Sequence, residues 1–336
     1  MLDSFFHRLW QALIDVPIAL ATLAIFVSAG TIRFCLFRRT HFTVYEFLRY
    51  CLPFSSWCSN SARVDVYVFF ANKILSKAYA WLVPATLIGA SYLSGACLSS
   101  YLPHATTSTP NVITYAWCSL CLFLVSDFTY FLTHYLEHHV AILWEAHKVH
   151  HSATFLNPLT ARRVHPLAFV FEELTNAGFT GIVVGFFTVV IDFNLIDIFF
   201  LYLCASKIPA IVTLDILKHS HFSFGYGPLE MVLISPRIHH LHHSCKPEHL
   251  NRNFGVKLVV WDRIFGTFYK PQKDEEMIYG LFNQEEQNYH SIWTVYANPV
   301  VGIWNIVSRR THPAQLLETS QVKHVDVDHL SDRHRQ

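Results

Sequence analysis

Two stretches, Val16 to Ile32 and Ala78 to Leu98, contain no charged side chain. A segment surrounded by lipid must satisfy its backbone polar groups internally, and a helix of about 20 apolar residues does so while crossing about 30 Å of hydrocarbon. A third stretch, Asn111 to Leu132, carries a charge only at Asp127; a fourth, Leu174 to Leu203, is apolar except for Asp192, Asn194 and Asp197. The fourth is too long for one crossing. It is expected to form two tilted crossings joined by a turn near Asp192 to Asn194, with a single long bent helix as the alternative. The expected architecture is therefore all-α and multi-pass, with four or more transmembrane helices. Composition agrees: 15% of residues are charged, against about 25% in an average soluble domain.

Basic residues set an orientation. Arg33, Arg38 and Arg39 come after the first run, which is expected to be retained rather than cleaved, and Arg63, Lys73 and Lys77 precede the second. The loop from Tyr101 to Pro110 has neither Lys nor Arg. Excess Lys and Arg marks the cytoplasmic side, so every later histidine cluster is expected on that side, as a histidine-rich helical cap. A net charge of +1 gives no electrostatic case for nucleic acid. Cys118 and Cys121 form a CxxC inside an apolar run and are expected to be inert thiols that pack as small hydrophobes.

Histidine is the compositional outlier, with 22 copies against 25 Lys and Arg together. His134 and His138 stand four apart, on one helix face with Asp127 and Phe131. WEAHKVHHS places His147, His150 and His151, and RIHHLHHS repeats that spacing with His239, His242 and His243. Positions i, i+3 and i+4 fall within an arc of about 100°, so one helical turn is expected to offer three imidazoles to a common point. His139 and His240 fall off these stripes. Eight neutral imidazoles close together each leave a buried acceptor nitrogen, which favours metal. Their number exceeds what one ion holds, so two ions are implied, and a structural zinc site would recruit cysteine.

His134xxxHis138, His147xxHis150His151 and His239xxHis242His243, on a chain with these runs, resemble the fatty acid hydroxylase and sterol desaturase superfamily of membrane di-iron oxygenases. NPLTARRVHP at 157–166, KHS at 218–220, and NFG with WDRIFGTFY at 253–269 are similar to further family stretches, and YGL at 279–281 resembles the alkylglycerol monooxygenase-like branch. The resemblance implies His134, His138, His147, His150, His151, His219, His239, His242 and His243 as iron ligands. His221 is an alternative to His219. It implies Asp127 as a carboxylate that orients a ligand imidazole; an Asp at the membrane boundary paired with Arg is the other reading. His165 is expected to cap or pack, and Arg163 to pair with a carboxylate near the site or with a lipid head group.

The chemistry that the resemblance implies is O2-dependent hydroxylation or desaturation of a lipid C–H bond, the substrate being a sterol, fatty acyl or ether lipid. The implied cofactors are two Fe ions and O2. His165–Pro166 lacks the glycines that come next in a fused haem-binding domain, so electrons are expected from cytochrome b5, an NAD(P)H-linked reductase or a tetrahydropterin. The implied location is the endoplasmic reticulum membrane in a eukaryote or the cytoplasmic membrane in a bacterium. The expected organisation is a membrane anchor at 1–110, a catalytic domain at 111–282 and a cytoplasmic tail at 283–336. A non-catalytic lipid-binding protein and a histidine-rich metal transporter are the competing readings; the latter would need ionisable residues spaced along the spans.

Overall fold

The computed structural model describes residues 43–51, 53–102, 107–272 and 275–309, with the single positions 24, 28 and 31. The run at 16–32, apart from those positions, the arginines after it and the chain beyond 309 lie outside the described residues. Extended structure among the described residues amounts to isolated bridges, so the expectation of an all-helical chain is met.

The framework is α1 (Asn60–Tyr79), α2 (Leu82–Tyr101), α3 (Val112–His139), α4 (Ala141–His151), α5 (Pro166–Val190), α6 (Pro236–His242) and α7 (Ile292–Arg309). Three of these, α2, α3 and α5, are long and apolar enough to cross a membrane. Few of their residues are fully buried within the protein, as expected of lipid-facing helices, and the chain is a membrane protein. Asn111 caps α3 by accepting from Thr114 N at 3.0 Å. His165 caps α5, its ring accepting from Leu167 N at 3.2 Å, with Pro166 at the first position, where a missing N–H costs nothing.

Helices α2 and α5 pack closely because small residues face each other. A Cβ on Gly181 would come within 2.5 Å of the Leu87 carbonyl oxygen, and one on Gly185 within 2.2 Å of that of Ser91. Ser94 Oγ adds a 3.0 Å bond to the Ile182 carbonyl. Close backbone approach through small residues is the usual solution where lipid removes the hydrophobic drive for helix association.

The fourth run turns where expected. Helix α5 ends at Val190, and Asn194 Oδ1 accepts from Ile196 N and Asp197 N at 2.8 and 3.1 Å to start the helix Leu195–Tyr202. A π-helical stretch, Leu203–Lys207, and Ile208–Val212 continue it. This second limb is therefore broken. Ser108 bonds to Val190 O and Asp192 N at 3.1 and 3.0 Å, tying the loop before α3 to the turn after α5. The histidines gather at the opposite ends of the same two helices.

The region expected as a tail contains α7. Val295 of α7 and Val64 and Val68 of α1 share a buried cluster with Val149 of α4, Leu281 and Tyr289.

Candidate metal centre

The ligand-bearing segments meet where α3 ends. An extended Val140 turns the chain directly from α3 into α4. Ser235 caps α6, accepting from Ile238 N at 3.3 Å, so its histidines start in register. His219 comes directly after the short helix Asp215–Lys218.

The nine histidines form two groups. His134, His138, His147, His151 and His242 bring one ring nitrogen each within 4.8 Å of one another, and His150, His219, His239 and His243 do the same. The expectation that one turn aims three imidazoles at a common point is corrected. Positions i and i+4 differ by about 40° and stay together, whereas i+3 lies about 100° from i+4 and turns to the other group. Thus His147 pairs with His151 and releases His150, while His239 pairs with His243 and releases His242. Helices α4 and α6 each serve both groups. His219, not His221, joins the second; His221 Nε2 instead lies 2.9 Å from the Tyr50 carbonyl.

Within the groups, facing Nε2 atoms are 3.0 to 3.2 Å apart: His138 to His151, His242 to His151, His219 to His150, His239 to His219 and His243 to His239. Two nitrogens at right angles on one ion, each at about 2.1 Å, would be separated by about 3 Å. His242 Nδ1 donates to the Arg252 carbonyl at 2.8 Å and His134 Nδ1 to that of Phe254 at 2.8 Å. These bonds fix the tautomer, so the Nε2 lone pairs face inward, toward other acceptors. Burial, with neighbouring imidazoles adding to it, pushes His147, His151, His219, His239 and His243 well below the ordinary histidine range; burial also lowers His242 strongly and brings His150 to about 3. Neutral, buried, convergent imidazoles fit a transition metal and suit neither magnesium nor calcium.

The two orienting carbonyls come from one bent segment. Asn251 and Asn253 hold φ of 57° and 58°, a left-handed conformation that asparagine tolerates better than most residues. A Cβ on Gly255 would sit 2.7 Å from both Asp262 Oδ2 and the Leu258 carbonyl oxygen. Asp262 accepts from Phe254 N and Gly255 N at 2.8 Å each and from Thr267 Oγ1 at 2.6 Å. Asp127 accepts from Lys257 N, Leu258 N and Trp261 Nε1 at 3.1, 3.2 and 2.9 Å. The carboxylate expected to orient an imidazole therefore holds the 257–261 stretch instead, because its oxygens are filled by that backbone and indole. Orientation falls to the Arg252 and Phe254 carbonyls, which no side-chain pattern advertises.

Sequence reasoning also missed Glu137. Glu137 Oε2 lies 2.8 Å from His147 Nδ1, and Glu172 completes a cluster with them. The signal was present, since Glu137 stands one helical turn after His134. Arg163 is fully buried on Asp65, NH1 to Oδ1 at 3.1 Å, and its guanidinium also donates to the Val149 carbonyl and to Ser152 Oγ, at 3.2 and 2.9 Å. It clamps the end of α4 to α1, so its partner is a carboxylate rather than a head group. The residues expected to lie off the site do so: His240 Nδ1 is 3.1 Å from Tyr279 Oη, His139 Nδ1 2.7 Å from the Tyr135 carbonyl, and His165 caps α5.

Residues 119–267 match the fatty acid hydroxylase family. The alkylglycerol monooxygenase of Danio rerio is 33% identical over 171 residues, covering 49% of this chain and 33% of that protein. Its Homo sapiens counterpart is 28% identical over 190 residues, 54% and 38% of the two chains. The ornithine lipid hydroxylase of Rhizobium tropici is 27% identical over 165 residues, 47% and 44%. The matched part thus spans about a third of the length of the alkylglycerol monooxygenases. No solved structure matches the chain. All nine clustered histidines and the segment that orients them fall inside 119–267, the part of the chain that matches the fatty acid hydroxylase family.

Proposed function

We propose that the chain is a membrane-bound oxygenase that hydroxylates a C–H bond of a lipid with O2. One iron would be held by His134, His138, His147, His151 and His242, and a second by His150, His219, His239 and His243. The observation that carries this reading is the division of nine buried or half-buried histidines into two convergent groups with shared helices. Bound iron supplies the O2 activation and redox chemistry that no side chain here can provide.

The chain's own residues bind, orient and exclude. The Arg252 and Phe254 carbonyls hold His242 and His134 in one tautomer, and Glu137 stands at the outer nitrogen of His147. Phe254, fully buried, lies with its ring centroid 5.0 Å from His138 and 5.7 Å from both His134 and His242. Trp144 flanks His138 and His151 at 5.0 and 5.7 Å. These aromatic walls keep water from the ligand nitrogens. Helix α3 runs without interruption from an apolar span into His134 and His138, which gives a lipid chain a continuous apolar approach from the bilayer.

The relatives' names favour a polar-headed lipid with long hydrocarbon chains over a sterol. Electrons come from outside the described fold, from a reductase or a diffusible pterin. The histidine end faces the cytoplasm, supported by Arg63, Lys73 and Lys77 ahead of α2 and by the Lys- and Arg-free loop at 101–110. Purified protein is expected to contain about two irons per chain and to consume O2 when reduced in the presence of lipid. One zinc per chain without O2 uptake would overturn the reading.

A further inference from the structure

Helices α1 and α7 each bury one face and leave the other unpartnered among the described residues. The buried faces, with Val64, Val68 and Val295, pack toward Val149 of the ligand helix α4. On α7 the outer face is Trp293, Ala297, Val300, Val301, Trp304 and Val307, all exposed, Trp293 at 81% and Trp304 at 69%. At about 100° per residue these positions fall within an arc of roughly 120°, and none is charged. The outer face of α1 carries Tyr67, Phe70 and Ile74, with Phe70 60% and Ile74 68% exposed.

Charge and position separate the possible occupants. The exposed charges of α1 are Arg63, Lys73 and Lys77; its one acid, Asp65, is buried on Arg163, and α7 contains no acid. A two-fold contact between copies would set these cations against themselves. Both helices are also tied to the level at which spans begin. Tyr296 Oη of α7 donates to Asn72 Oδ1 of α1 at 2.8 Å, and Asn72 Nδ2 donates to the Val164 carbonyl at 2.8 Å. His165, the cap of α5, lies 3.3 Å from the Tyr296 carbonyl through Nε2. Only Ala80 and Trp81 separate α1 from α2. An apolar stripe with tryptophans, flanked by lysines whose stems can reach upward, is the pattern of a helix lying in the membrane interface.

We infer that α1 and α7 form a shelf in the head-group layer, with their outer stripes seated in a bilayer containing anionic lipid and the ligand helix α4 resting on its inner side. This rests on the reading of α2, α3 and α5 as spans.

The test uses the full iron-loaded chain in vesicles of phosphatidylcholine and phosphatidylglycerol, with p-benzoylphenylalanine replacing Ile74, Trp304 or, as a water-facing control, the exposed Gln287. Lipid adducts are expected at 74 and 304 and not at 287. Adducts at 74 and 304 to a second copy, or to residues 1–42 of the same chain, would overturn the shelf, as would equal lipid labelling at 287. An independent measurement keeps the native backbone: Trp304→Phe should lose part of the fluorescence quenching by brominated lipid, and unchanged quenching would overturn the proposal. Iron content is measured on every sample, so failure of the shelf is distinguishable from failure of the metal reading.

Discussion

The two histidine groups share helices α4 and α6 yet differ in how they are held. In the five-histidine group, His134 and His242 donate to backbone carbonyls, His147 meets Glu137, and Phe254 and Trp144 form walls. In the four-histidine group, His239 Nδ1 has no aligned hydrogen-bond partner among the described residues, His150 is met by the backbone of Thr160 and Arg163 rather than by a carboxylate, and His219 comes from the end of a four-residue helix. Equivalent spacing in HxxHH therefore does not make equivalent sites. Groups that orient a ligand usually change metal affinity by about 10- to 100-fold, so the five-histidine group should hold iron more tightly. Stepwise chelation should remove one iron per chain first, leaving a species whose remaining iron is sensitive to substitutions at Glu137. Simultaneous loss of both irons would break the comparison.

The largest effect is expected from removing a ligand. His242→Ala should abolish turnover and lower iron content, while His240→Ala, off both groups, should retain most activity. Comparable loss in both variants would mean that the division by helical angle is wrong.

A smaller effect should result from loosening the orienting segment. Phe254 N and Gly255 N donate to different oxygens of Asp262, so Asp262→Asn puts an amide donor against one of these two N–H groups. The Phe254 and Arg252 carbonyls should lose their aim. Iron affinity of the five-histidine group is expected to fall toward the upper end of the 10- to 100-fold range, with the other group little changed. Equal loss in both groups would assign Asp262 a general structural role.

Glu137→Gln should cost about tenfold in affinity at the same group. The amide keeps the size of the side chain but replaces one oxygen with an N–H donor beside His147 Nδ1, so the spectroscopic signature of that iron should shift even where occupancy is restored with excess metal. An unshifted spectrum at full occupancy would leave Glu137 as packing alone.

These features differ in how legible they are in the sequence. The spans are readable because lipid forbids charge along a whole run, and the histidine stripes because helical spacing is periodic. Sharing of one HxxHH between two groups obeys the same angles, yet the spacing alone suggests a single convergence. The carbonyl oxygens of Arg252 and Phe254 leave no trace, since backbone acceptors have no residue type. The Asp65–Arg163 pair joins positions nearly a hundred residues apart through tertiary packing. Helix α7 is hidden among polar neighbours, with Pro299 inside it, although its apolar stripe repeats at helical spacing.

The smallest effect concerns acidity, and its sign comes from burial. In the metal-free protein the clustered histidines are held neutral, His150 down to about 3, while the unfolded chain protonates near the ordinary value of about 6.5. Below that value the unfolded state binds more protons than the native one, so native stability falls as pH falls. Each such histidine steepens the loss by up to about 1.4 kcal/mol per pH unit. Near pH 7 the unfolded histidines are mostly neutral, and the slope is slight; between about pH 6.5 and 5 it should grow. If iron occupies the same nitrogens, as proposed, acidification of the loaded protein should show first as loss of metal, beginning with the less firmly held four-histidine group. The check is the unfolding midpoint of chelated and loaded protein in detergent across about pH 5 to 7.5, with iron counted in parallel. A chelated midpoint that rises on acidification would contradict the neutral, buried state on which both groups depend.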